Sequence, residues 1–226
     1  SVSRGLGDVY KRQVLEGSTL NARQFATQGS REKMAAQIFT GTEHFRSGVS
    51  KVTKGTPEPY KKVQSWLQVS YQNETYHKVS PKFTLGAYLE AYYSSRNFSN
   101  NYTATLMQAG EFTPTAHSKV TYNEAFRANQ YAGVGTMPIY QLSESFQLRG
   151  EFYGFIPIFP IKKDEYGQAY YGKAFTKFEY LGEISLVFQL SFGSISAYVN
   201  HYSSPSNDWN VGLTLGWQLF NSRFVE

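Results

Sequence analysis

The sequence predicts an all-β fold: an antiparallel, up-and-down β-barrel whose strands cross a membrane. Three observations predict it. Apolar and polar residues alternate with a period of 2 in one segment after another beyond residue 60. The links between these segments alternate between short and long, and Tyr and Phe gather at the segment ends. Side chains along a strand point to opposite faces, so alternation is the strand signature.

Residues 14–60 carry the weakest pattern. Arg31 to Thr40 reads as a short helix with Ala35, Ala36 and Ile38 on one face, and Phe45 to Val52 as a strand. Gly55-Thr56-Pro57-Glu58-Pro59 is a loop by its Gly and Pro content. In 63–71, Val63, Leu67, Val69 and Tyr71 share a face against Gln64, Gln68 and Ser70. In 83–94, Phe83, Leu85, Ala87, Leu89, Ala91 and Tyr93 oppose Thr84, Gly86, Tyr88, Glu90, Tyr92 and Ser94. A weaker strand follows at 127–140. In 146–156, Phe146, Leu148, Phe152 and Ile156 alternate with Gln147, Arg149, Glu151 and Tyr153. The clearest segment is 177–190, where Phe178, Tyr180, Ile184, Leu186, Phe188 and Leu190 alternate with Lys177, Glu179, Glu183, Ser185 and Gln189. A weaker strand at 194–202 and a last one at 211–220, with Val211, Leu213, Leu215, Trp217 and Leu219 on one face, complete seven.

Each segment is long enough for a tilted bilayer crossing of about 9–11 residues. The 141–144 and 191–193 links are short, whereas 95–126 and 158–174 are long. A membrane barrel has this asymmetry, with short turns on one side and long loops on the other. A soluble antiparallel sheet with one solvated face would show similar alternation. The aromatic clusters at 92–102, 166–175 and 198–209 favour the membrane reading, as an interfacial girdle would.

Composition sets the outer limits. Charged residues make up 17% of the 226, below the roughly 25% of a typical soluble domain, and aromatics another 17%. That aromatic content argues against disorder. No apolar run approaches the ~20 residues of a membrane helix. There is no Cys, hence no disulfide or thiolate metal site, and Ser1 to Gln13 holds no apolar core of a signal peptide. Asp8-Val9-Tyr10-Lys11-Arg12-Gln13 resembles a reading frame of a transposase end used in sequencing-library preparation, so residues 1–13 are expected to be an adaptor artefact. The natural chain is then expected to extend upstream. Those residues hold Arg4, Lys11 and Arg12 against Asp8, a net +2, which leaves about +3 of the formal +5. That is too little to argue nucleic-acid binding. The organisation expected is therefore 1–13 artefact, 14–60 undetermined loop, helix and possible strand, and 61–226 barrel strands with a long loop at 95–126.

Catalytic patterns are absent. Gly193-Ser194-Ile195-Ser196-Ala197 misses the nucleophile-elbow spacing and lies in a strand. Gly167 to Ala174 approaches a phosphate loop, but Ala174 stands where Ser or Thr would hold magnesium. His44, His77, His117 and His201 are dispersed and read as surface or loop residues, and no metal or cofactor is expected. Asn210-x-Gly212-x-x-Leu215-x-Trp217 resembles the terminal-strand signal read by barrel-assembly machinery.

Several phrases carry a wider resemblance: Asn100 to Leu106, Glu111 to Lys119, Phe126-Arg127-Ala128-Asn129, Met137-Pro138-Ile139-Tyr140, Leu148 to Tyr153, and Gly216 to Phe224. In this order they resemble the C-terminal outer-membrane barrel of bacterial patatin-like phospholipase proteins, within the BamA/TamA-like surface-antigen superfamily. The resemblance implies about 7–8 strands of a 16-strand barrel in the bacterial outer membrane. It also implies a chain that is not itself an enzyme but anchors or translocates an upstream patatin-like hydrolase. Alternatives are an independent channel or BamA/TamA-type assembly factor, or a soluble β-barrel binding module. The partners implied are outer-membrane lipid and the assembly machinery.

The resemblance places Arg127 at the family's loop-anchoring arginine, although the motif here reads Phe-Arg-Ala. Glu151, Glu179 and Glu183 are its expected lumen partners. The 95–126 segment is expected to be a packed plug, because it carries Leu106, Met107, Phe112 and Val120. Phe178, Ile184, Leu186, Phe188, Leu190, Leu213, Leu215 and Trp217 are the expected lipid face.

Overall fold

The computed structural model describes residues 2–22, 24–46, 60–99, 101–204 and 209–217. Its strands are β1 (Val2–Ser18), β2 (Gly29–Arg46), β3 (Tyr60–Lys78), β4 (Phe83–Ser94), β5 (Gly110–Glu111), β6 (Arg127–Ala128), β7 (Gln130–Gln141), β8 (Phe146–Pro157), β9 (Ile161–Lys163), β10 (Ala169–Tyr171), β11 (Glu179–Leu190), β12 (Gly193–Tyr202) and β13 (Trp209–Trp217). One helix, α1 (Tyr102–Gln108), lies in the long insertion after β4. Nine strands form one antiparallel sheet in the order β1-β2-β3-β4-β7-β8-β11-β12-β13. The pairs β5–β6 and β9–β10 are short hairpin-like ladders inside the two long links.

The seven segments with period-2 alternation coincide with β3, β4, β7, β8, β11, β12 and β13. Residues 31–40 correct the helix expectation. They lie in β2, where the register sets Ala35 opposite Ser70 and Phe39 opposite Trp66. Tertiary pairing has overridden local helix propensity, and the Phe39 and Trp66 rings stack at 5.2 Å. Val2–Ser18, which contains most of the expected artefact, is paired with β2 along its length. Of the Phe45–Val52 strand, residues 45 and 46 end β2, and the rest fall outside the described residues.

The barrel expectation is also corrected. Closure requires the first and last strands to pair, with strand number, tilt and stagger mutually consistent. Among the described residues β1 pairs only with β2 and β13 only with β12, so the sheet is open with two edges. The outer-membrane location and the transmembrane-barrel reading rested on that closure and fall with it. No described helix is long and apolar enough to cross a membrane.

The open sheet is nonetheless strongly curled. Six inter-strand spacings separate β2 from β12, about 29 Å if the sheet were flat. Yet Gln24, six residues beyond the end of β1 and within about 20 Å of it at full stretch, accepts a hydrogen bond at 2.9 Å from the Ser194 hydroxyl on β12. Only a curled sheet lets the 19–28 loop strap across its inner face in this way. Arg149 and Gln147 on β8 and Gln189 on β11 donate to the Ala26 and Phe25 carbonyls of the strap at 2.8–3.2 Å. Phe25 adopts a left-handed φ of 52°, a strained conformation for a bulky residue.

The concave side is filled rather than open. The insertion after β4 folds inward, and Phe112, Phe126, Phe155, Tyr131 and Tyr153 form its aromatic centre. Phe112 reaches the sheet because residue 133 is Gly: a Cβ there would stand 2.1 Å from the Phe112 ring. The plug expectation therefore fits Leu106 and Phe112, which are buried, but not Met107 and Val120, which are exposed. Helix α1 begins where the Asn101 side chain accepts from the Ala104 N–H at 2.7 Å, an ordinary N-cap.

Candidate functional site

The two faces of the sheet divide the chemistry. Even-numbered positions of β11 point outward and odd-numbered ones inward, so Glu179, Glu183, Ser185 and Val187 are buried while Tyr180, Ile184 and Leu186 are exposed. The inner face collects the carboxylates, and each has a dedicated partner. Glu151 and Glu183 stand opposite each other in the register. Like charges so placed repel, and burial would make either costly if unpaired.

Arg149 neutralises Glu151 through a short Nε–Oε1 ion pair. Its Nη1 donates to the Ala26 carbonyl at 2.8 Å and its Nη2 to the Tyr76 hydroxyl at 2.5 Å. Burial is the largest single influence on Arg149 and works against its charge, but the combined pull of Glu151, Tyr76 and Tyr153 outweighs it and holds the guanidinium pKa above its ordinary value. All three guanidinium nitrogens are committed, so Arg149 fastens the strap to β8.

His117, from the plug, serves Glu183. Its Nδ1 lies 2.5 Å from Glu183 Oε1, its ring stacks on Tyr198 at 3.6 Å, and its Nε2 lies 3.4 Å from Ser196 Oγ. Gly212 on β13 makes room for that stack, since a Cβ there would meet the Tyr198 ring at 2.5 Å. Ser196, His117 and Glu183 have the connectivity of a nucleophile, base and orienting carboxylate. Ser196 is only 1% exposed and His117 3%, so a substrate carbonyl has no approach to Oγ. The array pins the plug to β11 and β12.

A third cluster gathers phenols around Glu90 on β4. Tyr131 donates to Glu90 Oε1 at 2.6 Å and Tyr88 to Oε2 at 2.5 Å. Burial raises the Glu90 pKa, and these two hydrogen bonds oppose the rise. Burial likewise pushes both phenols well above their ordinary range, so they remain donors. Glu179 accepts from the Ser203 hydroxyl and pairs with Lys177 at 3.3 Å. A cavity of about 410 Å³ remains between strap, plug and sheet, walled by Gln24, Lys119, Tyr76 and Tyr153 among others.

Arg127 does not reach the sheet carboxylates. It pairs with Glu111 at 2.6 Å, donates to the Leu106 carbonyl at 3.3 Å and lies over the Tyr122 ring at 4.7 Å. It therefore closes the plug upon itself, and Glu151, Glu179 and Glu183 are served by Arg149, Lys177 and His117. Of the expected assembly signal, Asn210 donates to Asn200 Oδ1 at 3.3 Å, Gly212 accommodates Tyr198, and Leu215 is exposed on the outer face. The Trp217 side chain lies outside the described residues. The site residues missed in the sequence are His117, Glu90 and the strap. Arg149 and Glu151 had a readable signal, because residues two apart on a strand share a face.

The outer face is the reverse. On β4, β7, β8, β11, β12 and β13 its outward positions include Leu85, Leu89, Val134, Leu148, Ile184, Leu186, Val199, Leu213 and Leu215, all exposed. No Asp, Glu, Lys or Arg occupies an outward position within these six strands. Phe188 and Leu190, also expected there, are half-buried.

Comparison with known proteins identifies no relative: no family model, curated protein or solved structure matches the chain. The resemblance to the patatin-like phospholipase barrel is therefore corrected. Its phrases are short, and several owe their residues to local packing here, such as Met137 and Ile139 in the core. The anchor, channel, assembly-factor and β-barrel binding readings, which depended on that family or on a closed barrel, are withdrawn with it.

Proposed function

We propose that this chain is a non-catalytic, lipid-contacting sheet whose outer face lies against acyl chains. The observation that carries this reading is the uncharged, exposed outer face spanning six strands. Monomeric proteins in water rarely expose a contiguous apolar surface of more than a few hundred Å². Curvature argues for the occupant. The strap and plug fill the concave side, so the apolar face is convex. Two convex copies would touch only along a line, whereas a fluid apolar phase conforms to such a surface. The inner ion pairs and the phenol hydrogen bonds to Glu90 hold the curl and keep the carboxylates of the six strands on the side away from that phase.

The test is co-flotation of the chain with phosphatidylcholine vesicles. Association through the outer face is expected to survive high salt, since no charge contributes. A chain that stays in the aqueous fraction at millimolar lipid would overturn the proposal.

A further inference from the structure

The outer face runs into a link whose residues change type in a fixed order. Going back along the chain from the middle of β11, Leu186 and Ile184 are apolar, Tyr180, Phe178 and Phe175 are aromatic, and Lys173 is charged; all are exposed. Phe178 lies over Gly154 of β8, where a Cβ would stand 3.0 Å from its ring, so it still belongs to the outer face. Phe175 lies beyond the end of β8, and its N–H donates to the Ile158 carbonyl at 2.9 Å. It holds a left-handed φ of 54° while 69% exposed, a strained state that water does not reward.

The β9–β10 ladder supplies a second cation. Lys162 stands opposite Tyr170 in the register, and a Cβ on Gly172 would lie 3.0 Å from Lys162 Cε. The Lys162 stem therefore passes across Gly172, the chain neighbour of Lys173. Both lysines are exposed, and neither is in an ion pair among the described residues. The acids of the link are set apart at the hairpin tip. Asp164 accepts there from the Tyr166 and Gln168 N–H groups at 2.9 and 2.7 Å, with Glu165 next to it and Lys163 beside them over Gly167. At the opposite ends of β8 and β11, the turns 142–145 and 191–192 hold Glu144 and no cation.

Apolar, then aromatic, then cationic is the order of side chains across the surface of a lipid layer, where rings sit at headgroup depth and lysines reach the phosphates. We propose that the 158–178 link is a docking site for anionic phospholipid headgroups. Lys162 and Lys173 donate to their phosphate oxygens, and Phe175 is set among the upper acyl segments. The proposal rests on the lipid-contacting reading of the outer face and adds a lipid class and an orientation, with the long-link end of the sheet at the headgroups. Charge complementarity selects this occupant, because a neutral lipid surface would leave both ammonium groups without a counter-charge.

The experiment floats the full chain with vesicles of phosphatidylcholine alone and of an equimolar mixture with phosphatidylglycerol. Each is measured at low salt and at about 1 M, where the Debye length is about 3 Å. Phosphatidylglycerol is expected to raise the partition coefficient about fivefold for each of the two lysines, and high salt to remove the gain. Lys162→Gln with Lys173→Gln should abolish most of it and leave partitioning into phosphatidylcholine unchanged. Lys78→Gln with Lys82→Gln makes the same charge change at the other end of the sheet, around the β3–β4 turn, and should retain the gain. Phe175→Gly should weaken partitioning into both compositions roughly tenfold. It should not lower the urea midpoint, because glycine accepts the left-handed φ. The headgroup site is overturned by any of three results: no phosphatidylglycerol gain, a gain that both double variants lose alike, or a Phe175→Gly chain that partitions as the parent does. Salt-resistant flotation with phosphatidylcholine would still uphold the face reading in each case. Flotation only with phosphatidylglycerol, lost in high salt and with the Lys162 and Lys173 changes, would support the headgroup site and sink the face reading.

Discussion

Replacing Leu213 with Arg separates the outer-face reading from any reading in which that face is ordinary surface. Leu213 is 80% exposed in the middle of β13, with Ala197 as its cross-strand partner. In water the substitution removes little buried area, and changes at such surface sites usually fall within about 0.5 kcal/mol. Against hydrocarbon the balance differs, because a guanidinium placed among acyl chains costs roughly 2–3.5 kcal/mol. At 1.4 kcal/mol per tenfold, the vesicle partition coefficient should fall roughly 30- to 300-fold. The assay pairs vesicle flotation with urea unfolding of the same protein in lipid-free buffer. Leu186→Arg, on the central strand β11, should behave alike, since Leu186 is exposed on the same face. Val120→Arg is the control: Val120 is 84% exposed but lies on the plug, so partitioning should not change. A Leu213→Arg protein that partitions within threefold of the parent, with unaltered urea stability, would refute the reasoning.

Other perturbations address the inner face. His117→Ala strands Glu183 opposite Glu151 and should cost about 3–5 kcal/mol; adding Glu183→Gln should recover part of that loss, read from urea midpoints. Phe112→Ala should cost about 3–5 kcal/mol by emptying the aromatic centre, and Gly133→Ala, severe alone, should become milder in that background because the clash partner is gone. Glu90 has a folded-state pKa raised by burial, so its contribution is complete below the unfolded carboxylate pKa and is lost as pH rises through the folded one. Glu90→Gln should therefore flatten the fall in Tm on the alkaline side of the ordinary carboxylate range. Arg127→Lys keeps one contact to Glu111 but loses the fork to the Leu106 carbonyl; amide exchange should quicken around residues 104–112, with a global cost of about 1 kcal/mol.

Strand positions were legible because the pattern is local. In 177–190 most residues declare their face by their own polarity, with Leu181 and Val187 the apolar members of the inner row, and the register of β11 with β8 and β12 follows from matching those faces. Residues 31–40 were not legible, since Glu32, Lys33, Ala35 and Ala36 are good helix formers and the Phe39–Trp66 stack that fixes them comes from another strand. His117 left no signal at all: its partners Glu183, Tyr198 and Ser196 are 66 or more residues away, and no spacing rule links a plug residue to two strands. The partners of Arg127 were not legible, because the family resemblance set it against the sheet carboxylates Glu151, Glu179 and Glu183, which it does not meet. Its actual partner, Glu111, lies 16 residues earlier in the same link and was hidden by the absence of strand pattern around it.

Alternation alone also leaves open which face is the inner one, and here charge pairing decides it. A sheet with apolar residues inward would put Leu186, Ile184 and Leu213 against the plug and leave Glu151, Glu179 and Glu183 in water, at little cost. The observed arrangement is inverted, and it is tenable only because Arg149, His117 and Lys177 are each placed to meet one carboxylate. Removing one partner of a buried pair costs more than the pair contributes, so the inner face commits the sheet to this orientation as a set. The plug and strap are therefore part of what makes the outer face apolar. Without His117 and the Ala26 carbonyl, both Glu183 and Arg149 would need water, and the sheet would gain by turning its charged face outward. Releasing the plug should for this reason reduce vesicle partitioning as well as stability, a coupling that His117→Ala, measured in both assays, puts to the test.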